Sequence, residues 1–222
     1  SVLSLLCLGQ ITLYVAAHRF NDYHFISFVY YSICVAALIP YYLLYLHNKP
    51  EKNVASWFQW MFVISIIIST IHLGDDNFSF LLFTYMALFS LFYNLGQTSF
   101  FERNSTNVNA FKKMGQIGIV TVLILAAFNG FWESILRDYP DYFSINSGAF
   151  IGCFVFTIGS LYFYFKRTTF NPKHLIDLDL VLLPFMLLLF TANSFSAFLC
   201  NILGLATGIS ILLRGLREDR LL

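Results

Sequence analysis

The sequence predicts an all-α fold, a polytopic transmembrane helical bundle of about eight spans, and three observations support that prediction. Only 11% of the 222 residues are charged and 58% are hydrophobic, whereas about 25% of residues are charged in soluble domains. The mean hydropathy is +0.70. Seven stretches of 17 or more residues contain no Asp, Glu, Lys or Arg: 1–17, 25–46, 53–74, 77–101, 114–132, 142–165 and 180–213. Because a bilayer core about 30 Å thick takes about 20 apolar residues of helix, these stretches indicate a chain surrounded by lipid.

The spans follow from the uncharged stretches, with the last stretch divided in two. We place them at about residues 2–17, 25–46, 56–74, 78–97, 114–132, 147–165, 177–193 and 195–213. As one helix, the stretch 180–213 would measure about 51 Å, which is too long for one ordinary crossing, so we expect a turn at Asn193-Ser194. Residues 1–222 then form a single transmembrane domain. Since Ser1 already lies inside an apolar stretch, we expect a truncated or partial chain.

The basic residues predict the orientation of the bundle. Eleven of the 13 Lys and Arg residues fall in connectors that follow an even-numbered span. Cytoplasmic loops carry an excess of Lys and Arg, so we expect these connectors, and the C-terminal run that contains Arg214, Arg217 and Arg220, to be cytoplasmic. Membrane lipids are then the expected partners. With a net charge of +1 and no Lys/Arg-rich face, nucleic-acid binding is not expected.

Polar residues inside the predicted spans are mainly amides and hydroxyls, which suit hydrogen bonds between helices or a polar cavity lining. The amides are Gln10, Gln59, Asn94, Gln97, Gln116, Asn129 and Asn201. No carboxylate falls near the middle of a span, which argues against ion-coupled transport. Pro40 and Pro184 are expected to kink their helices.

Small residues predict where helices approach closely. Gly204 and Gly208 form a GxxxG motif, and spans five and six carry Gly115, Gly118, Gly152 and Gly159. Two interpretations of the GxxxG motif stay open, namely helix packing within one chain and a homo-oligomer interface. The four cysteines, in four separate spans, are interpreted as small buried hydrophobes.

The strongest cluster of chemically active side chains lies in two connectors on the predicted outer face. It consists of His18, Asp22, His24, His72, Asp75 and Asp76, and Glu133 after span five is a further catalytic candidate. Such residues suit a divalent metal or an acid/base pair, and the alternative is a set of hydrated loop residues. Their spacing matches no metal motif, so we predict no metal and no cofactor.

Part of the chain resembles a known bacterial family. The resemblance rests on Phe111–Gly118, Phe128–Ser134, Asn201–Gly208 and the run Leu213–Leu222, which contains Arg-Gly-Leu-Arg-Glu-Asp. Over residues 111–222 the chain is similar to polytopic inner-membrane proteins with a domain of unknown function. Members of that family continue with further spans after this run and begin with a short soluble segment. The resemblance implies a bacterial inner membrane and supplies no catalytic or ligand residues.

A second resemblance is to the eight-span lysoplasmenalase-like family, through overall size and Leu73-Gly74-Asp75. The later Ser-Asp span ending of that family is not matched by Thr191-Ala-Asn193-Ser194. Two functions therefore stay open. The first is a non-enzymatic membrane protein that binds or transports a small molecule or lipid, or is an accessory subunit of a membrane complex. The alternative is a membrane-embedded lipid hydrolase or transferase that uses the outer His/Asp cluster.

Overall fold

The computed structural model describes residues 31, 33, 35–40, 42, 44, 52–74, 78–104, 109–137, 148–167, 178–190 and 195–218. Over these ranges the regular elements are all helices. They are α1 (Lys52–Thr70), a 3-10 helix (Ile71–Gly74), α2 (Phe78–Gly96), α3 (Ser99–Asn104), α4 (Ala110–Ala126), α5 (Asn129–Arg137), α6 (Gly148–Arg167), α7 (Leu182–Phe190) and α8 (Ser196–Glu218). The predicted all-α class is therefore confirmed for the described residues.

Two helices in the described ranges are long and apolar enough to cross a membrane. They are α6, Gly148–Arg167, and the Ser196–Leu213 part of α8. Shorter apolar helices occupy Ser56–Thr70 and Phe80–Gly96. Among the described residues, two of the predicted spans therefore qualify by length and composition, and the predicted spans 2–17 and 25–46 lie wholly or largely outside those residues.

Helix α2 is the centre of the bundle. From Phe80 to Gly96 none of its side chains is exposed, and its most extensive contacts are with α6 and α4. A helix that is apolar on every side is typical of a fully enclosed position. The core is built on it, with Phe83, Met86 and Tyr93 each at 0% exposure.

Hydrogen bonds along α2 establish that α6 runs parallel to it. Near the start of both helices, Thr84 Oγ1 donates to the Ala149 carbonyl at 2.9 Å. In the middle, the hydroxyls of Ser90 and Ser160 are 2.8 Å apart. At the C-terminal ends, Arg167 donates to Gln97 Oε1. We call the end where α2 and α6 finish the basic end, because Lys166 and Arg167 lie there.

Helix α4 runs antiparallel to α2 and begins at the basic end. Asn109 fixes this start, since its Oδ1 accepts from the Lys112 N–H at 3.1 Å and its Nδ2 donates to the Gly96 carbonyl at 2.6 Å. A side-chain acceptor at the N-cap supplies a partner for a backbone N–H that the helix leaves free. The same asparagine therefore starts α4 and ties it to the end of α2.

The prediction of one continuous span over 114–132 is wrong. Helix α4 ends at Ala126, a turn follows at 127 and 128, and α5 begins at Asn129. Trp132 is 1% exposed, and its indole Nε1 donates to the Ala126 carbonyl at 2.7 Å. Tryptophan is enriched at membrane interfaces, but Trp132 packs inside and supplies a donor to the carbonyl at the helix end.

The predicted span 177–193 is not one helix either. Residues 178–181 form turns and α7 has nine residues, about 14 Å of helix. Asp179 nevertheless contacts Gln97 at the basic end of α2, while the ring of Phe185 lies 5.1 Å from that of Phe83, near the other end. The segment therefore follows α2 over most of its length.

The expected kink at Pro184 does not occur in the middle of a helix. Pro184 is the third residue of α7, where the backbone N–H has no partner within the helix and proline is tolerated.

Candidate functional site

The residues of the predicted outer site are largely beyond the part of the chain that the structure describes. His18, Asp22, His24, Asp75 and Asp76 lie outside it, and of His72 only the backbone, in the 3-10 helix, is described. Glu133 is an exposed residue of α5. Among described residues, no group of three or more His, Cys, Asp or Glu is arranged to hold a metal. The outer His/Asp site stays a prediction.

A largely buried ion pair lies instead at the basic end. Arg167, the last residue of α6, donates from Nη2 to Asp179 Oδ2 at 2.7 Å, with side-chain exposures of 19% and 8%. Removing two charges from water carries a large desolvation penalty unless further hydrogen bonds accompany the pair. Gln97 supplies them, since its Nε2 donates to Asp179 Oδ1 at 3.0 Å and its Oε1 accepts from Arg167. The amide thus bridges both charged partners.

Asn94 extends this triad toward the middle of the bundle. Its Nδ2 lies within hydrogen-bonding distance of three acceptors, the Ser160 hydroxyl at 3.1 Å, the Ser90 carbonyl at 3.1 Å and the Asp179 carbonyl at 3.4 Å. Its Oδ1 is buried without a hydrogen-bond partner in the described residues. A buried acceptor of this kind is ordinarily satisfied by an ordered water.

The polar network attaches the turn at 178–181 to two helices. Asp179 reaches α2 through Gln97 and α6 through Arg167, so the start of α7 is fixed by charge rather than by helix packing alone. Gln97 joins Arg167 to Asp179 beside a cavity, and we call these three residues the clamp.

The cavity has a volume of about 540 Å³ and lies next to Arg167. Its walls are the end of α2, the short helix α3 and the end of α6. The lining includes Ser99, Phe100, Phe101, Phe163, Lys166 and Arg167. The Nζ of Lys166 lies 5.7 Å from the centre of the Tyr162 ring, a cation–π contact that orients this side chain. Cationic and aromatic groups therefore meet at one opening.

A second groove, of about 360 Å³, separates α4 from α8 and has a different lining. It is lined mainly by apolar side chains, together with Gly204 and Gly208. A Cβ atom at either glycine would have no neighbour within 4 Å. The described residues therefore show no close helix packing at this GxxxG motif, and packing within one chain and a homo-oligomer interface both stay predictions.

Several interhelical amide bonds are as predicted. Gln59 Oε1 accepts from the Ala110 N–H at 3.2 Å, and Asn201 Nδ2 donates to the Ala127 carbonyl at 3.2 Å. With Asn94 and Gln97, four of the amides join different elements. Gln10 lies outside the described residues.

The ion pair is what the sequence did not reveal. Arg167 falls in the connector after the sixth predicted span and Asp179 near the start of the predicted span 177–193, and no partner was predicted for either. Asp179 lies at the basic end, beside Gln97, so it does not contradict the expectation that no carboxylate falls near the middle of a span. The available signal was position, because Arg167 follows one uncharged stretch closely and Asp179 directly precedes the next. Opposite charges at two such boundaries on one face of a bundle are able to pair.

Comparison with known proteins identifies no relative. No family model, no curated protein and no solved structure matches the chain.

Proposed function

We propose that the chain is an integral, multi-pass protein of a bacterial inner membrane that binds or transports a small molecule or lipid, or serves as an accessory subunit, without catalysing a reaction. Its basic end faces the cytoplasm in this proposal. The eight predicted spans cross in alternating directions.

The distribution of polarity carries this proposal. Along α6 and α8 the exposed side chains are large and apolar, for example Phe154 at 61%, Ile158 at 52% and Leu205 at 68% exposure. The polar side chains Asn94, Gln97 and Asp179 are buried instead. A soluble monomer rarely exposes continuous apolar surfaces of this extent, whereas lipid solvates them and leaves polar groups to pair inside.

Helix directions support the alternation. Helix α4 runs opposite to α2, and α6 runs parallel to α2. The segment 178–190 starts at the basic end, and α8 begins near the far end of α4, where Asn201 contacts Ala127. Each described long segment therefore reverses the direction of the one before it, as successive crossings of a bilayer would.

The charge distribution supports the orientation. Lys112 and Lys113 begin α4, and Lys166 and Arg167 finish α6, so all four lie at the basic end. Arg137 is the last residue of α5, a helix that begins just after the opposite end of α4. An excess of Lys and Arg on one side is the pattern of a cytoplasmic face.

Alkaline carbonate extraction of membranes tests the proposal. An integral protein stays in the membrane pellet after a carbonate wash and enters solution only with detergent. Recovery of the chain in the carbonate supernatant, or as a monodisperse particle without detergent, would contradict it.

A further inference from the structure

We infer that the cavity at the basic end binds an anionic phospholipid of the adjoining leaflet, with its phosphate at Lys166 and Arg167 and its acyl chains against the phenylalanines. This inference rests on the proposed membrane location, and it adds a specific ligand and its binding site to the proposed function.

The charges in the cavity wall favour an anion. Asp179 balances the charge of Arg167, whereas Lys166 has no carboxylate partner in the described part of the chain. Among the described residues, the cavity wall therefore keeps one positive charge without a carboxylate partner. Basic pockets between helices on the cytoplasmic side suit lipid head groups.

The clamp also prepares Arg167 as a hydrogen-bond donor. A guanidinium has five N–H groups in a fixed fork. Two of its hydrogen bonds go to Gln97 and Asp179, which orient the group at the cavity wall. N–H groups remain for a phosphate oxygen, and charge-assisted bonds of this type are stronger than neutral ones.

The rest of the wall suits a hydrocarbon chain. Phe100 and Phe101 pack edge-to-face with ring centres 5.2 Å apart, and Phe163 closes the side of α6. The volume of about 540 Å³ falls in the range of ligand pockets, about 300–1,000 Å³. A small soluble anion would leave the aromatic part of this space unused, which favours a lipid over free phosphate.

The position of the cavity fits the same ligand. It lies where α2 and α6 end, beside the exposed Tyr162 and Lys166. In the proposed orientation this is the level of the cytoplasmic head groups, where tyrosine and snorkelling lysine are favourable. A lipid of that leaflet would reach the cavity without leaving the bilayer.

Native mass spectrometry of the detergent-purified chain tests the inference. The probes are phosphatidylglycerol, phosphatidylcholine with the same acyl chains, and sn-glycerol 3-phosphate. We expect phosphatidylglycerol to bind more tightly than the other two. Lys166→Gln should weaken phosphatidylglycerol binding about fivefold, the effect of one cationic side chain near a lipid surface, and Lys166→Arg should preserve it.

Lys113→Gln is the matched control, because Lys113 is an exposed lysine at the same end that does not line the cavity. It should leave phosphatidylglycerol binding unchanged. If Lys166→Gln and Lys113→Gln weaken phosphatidylglycerol binding equally, the effect is general attraction to a positive surface, and the inference is overturned. Equal binding of the two phospholipids would do the same, and tight binding of glycerol phosphate alone would assign the cavity to a soluble anion.

A second pair of variants tests the acyl-chain part. Phe100→Ala should weaken both phospholipids, while Phe154→Ala, at an exposed phenylalanine of α6 outside the cavity, should weaken neither. Equal effects of both variants would contradict this part. Carbonate extraction separates the failure of this inference from the failure of the proposed membrane location. If the chain stays in the membrane pellet but Lys166→Gln binds phosphatidylglycerol normally, only the lipid site is refuted.

Discussion

Helices α2 and α8 are both apolar, yet they have opposite surroundings. Every described side chain of α2 from Phe80 onward is at least partly buried, whereas only 22% of the Ser196–Leu213 window of α8 is buried. Glycines accompany both helices. Gly115 of α4 allows backbone contact with α2, while a Cβ atom at Gly204 or Gly208 would have no neighbour within 4 Å among the described residues. The comparison teaches that hydropathy and small-residue spacing identify helices that are able to pack, but not the partner of each helix.

The largest effect is expected where α2 and α4 touch. A Cβ atom at Gly115 would lie 2.5 Å from the Tyr93 backbone nitrogen and 2.8 Å from the Phe89 carbonyl oxygen. Backbone atoms are unable to rotate aside, so Gly115→Val should lower stability by about 3 kcal/mol or more. Loss of helical circular dichroism on heating in detergent measures the change. A melting temperature equal to that of the unmodified chain would show that the two helices are not in close contact.

The ion pair around α2 should give the next largest effect. Asp179→Ala leaves Arg167 and Gln97 without their partner, and removal of one member of a buried pair costs about 3–5 kcal/mol. Because the Arg167 side chain is 19% exposed, hydration offsets part of this cost. We therefore expect Asp179→Ala to lower the free energy of unfolding by about 2–3 kcal/mol. Chemical denaturation in mixed micelles measures it. Strictly additive losses in the Arg167→Ala and Asp179→Ala double variant would rule out the pair.

A smaller effect is expected where α4 ends. Trp132→Phe keeps an aromatic ring in the core but removes the donor to the Ala126 carbonyl. One lost hydrogen bond with a buried acceptor costs about 1–2 kcal/mol. The control is Phe131→Leu, which changes the adjacent ring and keeps the indole. If Trp132→Phe lowers the free energy of unfolding no more than Phe131→Leu does, the hydrogen bond from Trp132 to Ala126 does not hold α5 to α4.

The smallest effect on the isolated chain is expected in α8. Gly208→Val adds a side chain where no described neighbour lies within 4 Å. It should therefore change the free energy of unfolding by no more than about 0.5 kcal/mol. This variant is the matched control for Gly115→Val. If α8 forms the predicted homo-oligomer, the same variant should shift cross-linking toward monomer. A loss of stability as large as that of Gly115→Val would refute the contrast between the two helices.

The sequence predicted the helical class and much of the packing because both depend on local residue patterns. Uncharged stretches mark the long helices, and the glycines Gly115, Gly118, Gly152 and Gly159 do lie at close contacts between elements. It did not predict that α4 ends at Ala126, because no charge or proline marks that position. Only the fold brings Trp132 to the freed carbonyl.

The candidate site at the basic end was not predicted from the sequence, whereas the predicted outer site lies mostly outside the described residues and stays a prediction. Sequence reasoning favoured histidines and carboxylates in the outer connectors, because those residue types carry metal and acid/base chemistry. The buried pair joins residues 12 positions apart through Gln97, which is 70 positions from Arg167. Such a pairing depends on α2 and α6 running in parallel, and no local pattern contains that information.

The most direct test of the membrane account compares two single cysteines, one near the start of α4 and one in α5, shortly after the end of α4. In a chain with Cys7, Cys34, Cys153 and Cys200 replaced by alanine, one variant carries Gly130→Cys, where a side chain has open space, and the other carries Lys113→Cys, at an exposed position of the basic end. In intact cells with a permeable outer envelope, we expect a membrane-impermeant maleimide to label the Gly130→Cys variant and not the Lys113→Cys variant. Labelling of both variants, or of Lys113→Cys alone, would contradict the account.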